Sequence, residues 1–262
     1  MSLLWEHLRG RMAHPAFWSY STWLSVITRY RRSIIGPLWM LAPPLMYIFG
    51  LGFFFGRVSN HEPGEFMAHL GIGIVLFRLI TTVVNDSASV MVNHAAYILD
   101  GNSRLTDYIL RVLLSSVIHF VVGIPLALGV AWFAGVLDPA GFVPAALGLI
   151  WVMFTLVWVA GLTSLIGARY PDIHEFMGSV TMLLFITTPI LFYAGTSPRG
   201  TAQGLLMRFS PVYHMVELVR APLMGLEVEM FTYQYLGIMT VLGFSAWLWA
   251  YRRYAPLVPI WI

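Results

Sequence analysis

The chain has no cysteine and no lysine; all 15 of its basic residues are arginine. Without cysteine there is no disulfide, no thiolate nucleophile and no zinc–thiolate site. Without lysine there is no GxxxxGK[ST] phosphate loop, because that loop needs the ammonium group to reach the phosphates. No HExxH pattern occurs either. Charge of both signs is scarce: 10% of the 262 residues are charged, against ~25% in soluble domains. Residues 1–33 lack an early apolar core followed by a small-residue cleavage site, so they read as a retained segment, not a signal peptide.

What fills the chain instead is apolar: 58% hydrophobic and 15% aromatic residues, with a mean hydropathy of +0.76. A soluble fold of this size has too little interior to hide so much apolar surface, whereas lipid accepts it as solvent. A span needs ~20 mainly apolar residues. Six stretches qualify: Ile34–Gly56, Met67–Val92, Tyr108–Val136, Phe142–Ala168, Phe176–Tyr193 and Gln234–Tyr251. The sequence thus predicts an all-α integral membrane protein of six transmembrane helices. It reads as one domain over 1–262: an interfacial N-terminal segment (1–33), the six-span region (34–251) and a cytoplasmic tail (252–262). With the N-terminus inside, Arg9, Arg11, Arg29, Arg31, Arg32, Arg104, Arg111, Arg169, Arg252 and Arg253 are cytoplasmic. Only Arg57, Arg199, Arg208 and Arg220 lie outside. That ten-to-four bias places both termini in the cytoplasm. The pI near 9.3 therefore reflects orientation in a membrane and not nucleic-acid binding.

Before the first span, Phe17, Tyr20, Leu24, Ile27 and Tyr30 recur at helical spacing, with Ser21, Ser25, Thr28, Arg29 and Arg32 elsewhere around the helix. This is the pattern of an amphipathic helix lying in the interface, with its arginines near phosphates, as an anchor or as a docking site for a cytoplasmic partner. Between Ala194 and Tyr233 the chain is too polar for a simple span. There Val212–Met224 is an apolar run interrupted by Glu217 and Arg220, with Pro211 and Pro222 at its ends. Short re-entrant helices on the periplasmic side, before the last span, fit this pattern. Such backbone is tolerated only where protein or a watery cavity surrounds it.

Few residues suggest chemistry. His94 and Asp100 are six apart, a poor spacing for a helical pair. Ser164, in Gly161-Leu162-Thr163-Ser164, and His119 are the nearest approach to an intramembrane hydrolase, but a helix-packing serine is the simpler reading. Arg78 lies within a span, where a charge is costly. It reads first as one half of an internal pair, with Asp86 or Glu217, and second as a contact for an anionic substrate or lipid phosphate. Tyr47 and Phe54 share a face of the first span, and Phe185 and Phe192 belong to the fifth. Aromatic faces stack on sugar rings, and they also form packing and interface belts.

Residues 29–40 (RYRRSIIGPLWM), followed by an apolar span ending Phe55-Gly56-Arg57, resemble the start of ABC-2 type permeases, and more specifically the membrane subunits of bacterial polysaccharide ABC exporters. Residues 210–225 (SPVYHMVELVRAPLMG) resemble the NPxYHxxExxRAPLxG signature of the O-antigen branch, with Ser210 in place of Asn. Ala168–Ile173 (ARYPDI) resembles the ARxRD segment after the fourth span, while Leu76-Phe77-Arg78 leans towards the capsule-export pattern. The resemblance implies a homodimer forming a channel for a lipid-linked polysaccharide across the bacterial inner membrane. It implies two separate ATPase subunits that bind ATP and Mg, with no cofactor on this chain. On that basis Tyr47, Phe54, Arg78, Phe185 and Phe192 are expected along the substrate path. Tyr213, His214, Glu217 and Arg220 are expected at a periplasmic gate. Arg29, Arg32, Asp100, Arg104, Asp107, Arg169, Asp172 and Glu175 are expected against the ATPase. Export of a drug or small lipid is the competing function. A membrane-embedded transferase would need an acid–base constellation that the sequence does not offer.

Overall fold

In the computed structural model, residues 16–31, 33–56, 62–100, 104–196 and 200–262 are described. Arg32 lies outside them. Among the described residues every regular element is helical. In chain order these are α1 (Ala16–Tyr30), α2 (Gly36–Gly56), α3 (Pro63–Asn93), α4 (Ala95–Leu99), α5 (Leu105–Phe133), α6 (Phe142–Arg169), α7 (Ile173–Thr187), α8 (Ala202–Phe209), α9 (Pro211–Leu223), α10 (Met230–Tyr254) and α11 (Val258–Trp261).

Four helices are long and apolar enough to cross a membrane: α2, α3, α5 and α6, the last together with the 3₁₀ turn that leads into it at Pro139. α10 has the length, at 25 residues, but four tyrosines, two tryptophans and the Arg252–Arg253 pair dilute its hydropathy. α7 is only 15 residues long and ends at Thr187, short of the expected Tyr193. The reason is local. Pro189 pushes the residue before it out of the helical region, and Thr188 sits at φ −83°, ψ 133°. α2 is not a regular α-helix. A 3₁₀ turn (Gly36–Leu41) passes through one α turn (Ala42–Leu45) into a π segment (Met46–Leu51) before α geometry returns. Pro37, Pro43 and Pro44 supply no N–H, so a uniform i→i−4 ladder has no donors at those positions.

α3 is the hub. In its apolar stretch 78% of the residues are buried, against 22% for α2 and 28% each for α5 and α6. It packs on α2, α5, α6, α7 and α9. α7 contributes no buried residue, and its Phe176, Met182, Leu183 and Ile186 face outward. α1 seats Thr22 and Val26 against α5 and turns Tyr20, Trp23 and Leu24 outward. α6 and α10 are clipped by Thr240, whose hydroxyl meets Trp151 Nε1 at 3.2 Å and Thr155 Oγ1 at 3.1 Å. Ser164 donates to the carbonyl of Gly161 and His119 contacts that of Ser115, so each serves its own helix and the two form no pair.

Gly167 marks the closest approach of α6 to α3: a Cβ there would overlap the carbonyl of Ala88. Both groups are backbone, so neither can swing aside. Gly167→Ala should therefore separate the helices and destabilise the protein by about 1–3 kcal/mol. The expected result is a lower melting temperature in detergent, checked by thermal-shift chromatography.

Candidate functional site

The polar groups concentrate at one end of the bundle, around α9. Pro211 starts this helix, its missing N–H falling where no acceptor is needed. Gly225, at φ 67°, ends it. The Leu226 N–H bonds the Ala221 carbonyl and the Gly225 N–H bonds that of Pro222, closing the last turn in a Schellman arrangement. The Asp138 N–H then ties the end of α9, through the Leu223 carbonyl at 2.9 Å, to the connection between α5 and α6.

Within α9, Glu217 and Arg220 are one turn apart and face the same way. Arg220 is 2% exposed. Its Nη2 donates to Glu217 Oε2 at 2.6 Å. Its Nη1 donates to the Pro189 carbonyl at 2.7 Å and lies 3.0 Å from His69 Nε2. His69 Nε2 is also 3.2 Å from the carbonyls of Pro189 and Phe192. A guanidinium can only donate. With Nε2 unprotonated it accepts from Arg220; with Nε2 protonated it donates to the Pro189 or Phe192 carbonyl and the guanidinium keeps its bond to Pro189. These carbonyls are available because α7 stops at Thr187. One arginine thus joins α9, α3 and the segment after α7. Gly73 leaves room for it: a Cβ there would lie 3.1 Å from Nη1.

His214, one turn earlier on α9, is fully buried. Its Nε2 meets the Arg208 carbonyl at 2.9 Å and its Nδ1 the Thr232 hydroxyl at 3.0 Å, joining α8, α9 and α10. The rings of Tyr213, Phe231 and Tyr235 surround it, and the Tyr235 hydroxyl donates to the Phe209 carbonyl at 2.9 Å. Arg208 meets Glu229 at 3.4 Å.

These helices wall a cleft of ≈ 800 Å³. Glu65, His69, Asp138, Tyr193, Tyr213, Glu217, Arg220, Glu227 and Glu229 line it. Burial, then Glu65, pushes the Tyr193 phenol up to about 12, and burial, then Glu217, does the same for Tyr213. Both hydroxyls keep their protons at neutral pH and remain donors. The wall thus offers carboxylate acceptors, phenol donors and ring faces.

The remaining expected residues fall into two groups. Tyr47 and Phe77 both meet Phe185 edge-on, at 6.1 and 5.5 Å, knitting α2, α3 and α7 together. Phe54 faces outward on α2 against Phe55. The Phe192 carbonyl lies 3.2 Å from His69 Nε2. Arg78 has no carboxylate within 4.0 Å among the described residues, so the expected pair with Asp86 or Glu217 is not formed; Glu217 is taken by Arg220. Arg78 instead borders a cavity of ≈ 20 Å³ with Ser116 and His119, room for about one water.

At the other end, Arg29, Asp100, Arg104, Asp172 and Glu175 are exposed. Asp107 is not: it is fully buried, and its Oδ2 accepts the Arg104 N–H at 3.1 Å at the start of α5. Its carboxylate serves an orphan donor of the helix and not a surface. Burial holds His94 below the usual imidazole range, and its Nδ1 meets the Val90 carbonyl at 2.8 Å; it makes no pair with Asp100. Arg169 lies over Trp261 at 5.3 Å, while α11 packs on both α4 and α6. α11 therefore bridges the α4–α5 and α6–α7 connections, a role for Trp261 that no spacing in the sequence announces.

The sequence model of the ABC-2 type transporter matches residues 17–224. The chain is also 22% identical over 220 residues to the O-antigen export system permease protein RfbA of Klebsiella pneumoniae, covering 82% of each protein. The match takes in α2 through α9, including the Arg220 junction, and the all-helical apolar body agrees with it: the chain belongs to the ABC-2 type transporter family.

Proposed function

We propose that this chain is the membrane subunit of an ABC exporter that moves a lipid-linked polysaccharide, of O-antigen or capsular type, across the bacterial inner membrane. It works as a homodimer with two ATPase subunits, which bind the ATP and Mg. The whole chain acts as one membrane domain. α2, α3, α5, α6, α7 and α10 make six crossings, with both termini cytoplasmic. α1 lies in the inner interface, and α8 and α9 dip into the outer leaflet as a gate.

The observation that carries this reading is the Arg220 junction. Short helices rich in hydrogen-bonding groups are pinned, by one buried arginine, across a polar cleft at one end of an apolar bundle. A hydroxyl-rich chain needs such a wall, and a small apolar cargo does not. The name of the Klebsiella relative supports the same cargo class. The absence of lysine agrees with a separate motor.

The test is genetic. Cells without this chain should lose surface glycan and accumulate lipid-linked glycan on the cytoplasmic side, with antibody staining of intact and permeabilised cells as the measure. Restoring the chain together with its ATPase should reverse both. Unchanged surface glycan in its absence would refute the reading.

A further inference from the structure

The cleft carries an excess of carboxylates. Five line it, from Glu65, Asp138, Glu217, Glu227 and Glu229, against two guanidiniums, that of Arg220 on Glu217 and that of Arg208 on Glu229. The excess narrows over the outer segments of the whole sequence but keeps its sign, six carboxylates to four arginines. In the whole sequence the outer segments hold Glu62 and those five, against Arg57, Arg199, Arg208 and Arg220. The inner segments have the opposite sign, ten arginines to the five carboxylates of Glu6, Asp100, Asp107, Asp172 and Glu175.

A cleft of ≈ 800 Å³ keeps anything inside it within about one screening length, ~8 Å at physiological salt, of its walls. Fixed charge of one sign in a walled cleft shifts the local concentration of charged solutes by about tenfold or more. Each acidic sugar of a polyanion would meet that field in turn, so repulsion accumulates along the chain. A neutral glycan meets no such penalty and finds a donor in Tyr213 and acceptors in the carboxylates.

We infer that the cleft selects cargo by charge: it admits uncharged glycans and excludes polyanionic ones, with Asp138 and Glu227 as specificity-determining residues. This rests on the export function proposed above and names its substrate class. The carboxylates act together with the cavity and its phenols. Glu227 is exposed, and Asp138 lies against Gly225, its Oδ1 accepting the Ala140 N–H at 2.9 Å. Asparagine preserves that bond through its own carbonyl, so the charge is removable without loss of the turn.

The absence of cysteine makes the test direct. Leu226→Cys places one thiol at the cleft, in the full complex with its ATPase, reconstituted in nanodiscs. Two methanethiosulfonates of similar size, one trimethylammonium and one sulfonate, report the field. Relative to their ratio with free mercaptoethanol, the cationic reagent should be favoured about tenfold, and Asp138→Asn with Glu227→Gln should reduce that preference severalfold. Protection against uncharged N-ethylmaleimide then reports occupancy. Maltoheptaose should slow labelling and oligogalacturonate of equal length should not, until the two carboxylates are neutralised. A reagent ratio equal to that of the free thiol, protection by the polyanion equal to that by maltoheptaose, or protection by neither sugar overturns the inference. If cells export glycan while the cleft is charge-blind, the charge filter alone falls. If they export none, the export reading falls, and the measured field stands.

Discussion

Arg220→Ala should reduce glycan export about tenfold or more while the protein remains in the membrane at its normal level. The substitution removes three contacts at once. Glu217 loses its 2.6 Å partner, the Pro189 carbonyl its 2.7 Å donor and His69 Nε2 its 3.0 Å neighbour. Breaking a fully buried pair by deleting one member costs about 3–5 kcal/mol, and the cost here is smaller because the surviving Glu217 carboxylate borders the cleft. The long apolar helices are untouched, so the loss falls on the docking of α9 and not on insertion. Arg220→Lys should be intermediate: it keeps the charge and loses the planar fork that serves several acceptors. Combining Arg220→Met with Glu217→Gln should recover part of the stability and little of the export, since the buried charge goes but the link to α3 does not return. Surface glycan measured against membrane-protein level checks all three. Wild-type export from Arg220→Ala would show that the junction is a passive contact.

The second large effect concerns energy coupling. The purified chain should hydrolyse no ATP, and charge reversal at the α4–α5 and α6–α7 connections should lower export more than it lowers ATP hydrolysis by the complex. Asp100 and Arg104 are exposed between α4 and α5, and Asp172 and Glu175 at the entry to α7. Asp107 is left out because it is buried at the start of α5. The two connections are not independent, since α11 packs against both α4 and α6 and Trp261 lies under Arg169. Asp100→Arg with Arg104→Glu should uncouple hydrolysis from transport, and Trp261→Ala should do so in part without changing any charge. The checks are ATPase rate and glycan transfer into inverted vesicles, measured on the same preparation. Equal losses in both rates would assign these residues to assembly of the complex. ATP hydrolysis by the chain alone would end the two-component mechanism.

Most of the scaffold was legible in the sequence because a membrane writes it in long apolar runs. α2, α3, α5 and α6 fall within a few residues of the stretches read from hydropathy. α7 shows what hydropathy omits: apolar character continues to Tyr193, but Pro189 ends the helix earlier. The Glu217–Arg220 pair was legible because its spacing of three is local. Its third partner was not. His69 lies 151 residues from Arg220, in no motif, and the other acceptors are backbone carbonyls. The one available signal was the cost of an imidazole within an apolar span. Arg78 shows the converse: its charge drew a pairing expectation, yet the structure gives it a water-sized cavity instead.

The irregular backbone of α2 has a mechanical consequence. Six residues, Gly36–Leu41, are wound as 3₁₀, and the next six-residue irregularity, Met46–Leu51, is wound as π. A 3₁₀ turn rises ~2.0 Å per residue and an α turn ~1.5 Å, so rewinding the first segment would shorten the helix by about 3 Å. Pro37, Pro43 and Pro44 bring no N–H to either winding, so few hydrogen bonds separate the two lengths. α2 is therefore a compliant strut: its ends can approach or separate by about one residue's reach while the segment between them stays helical.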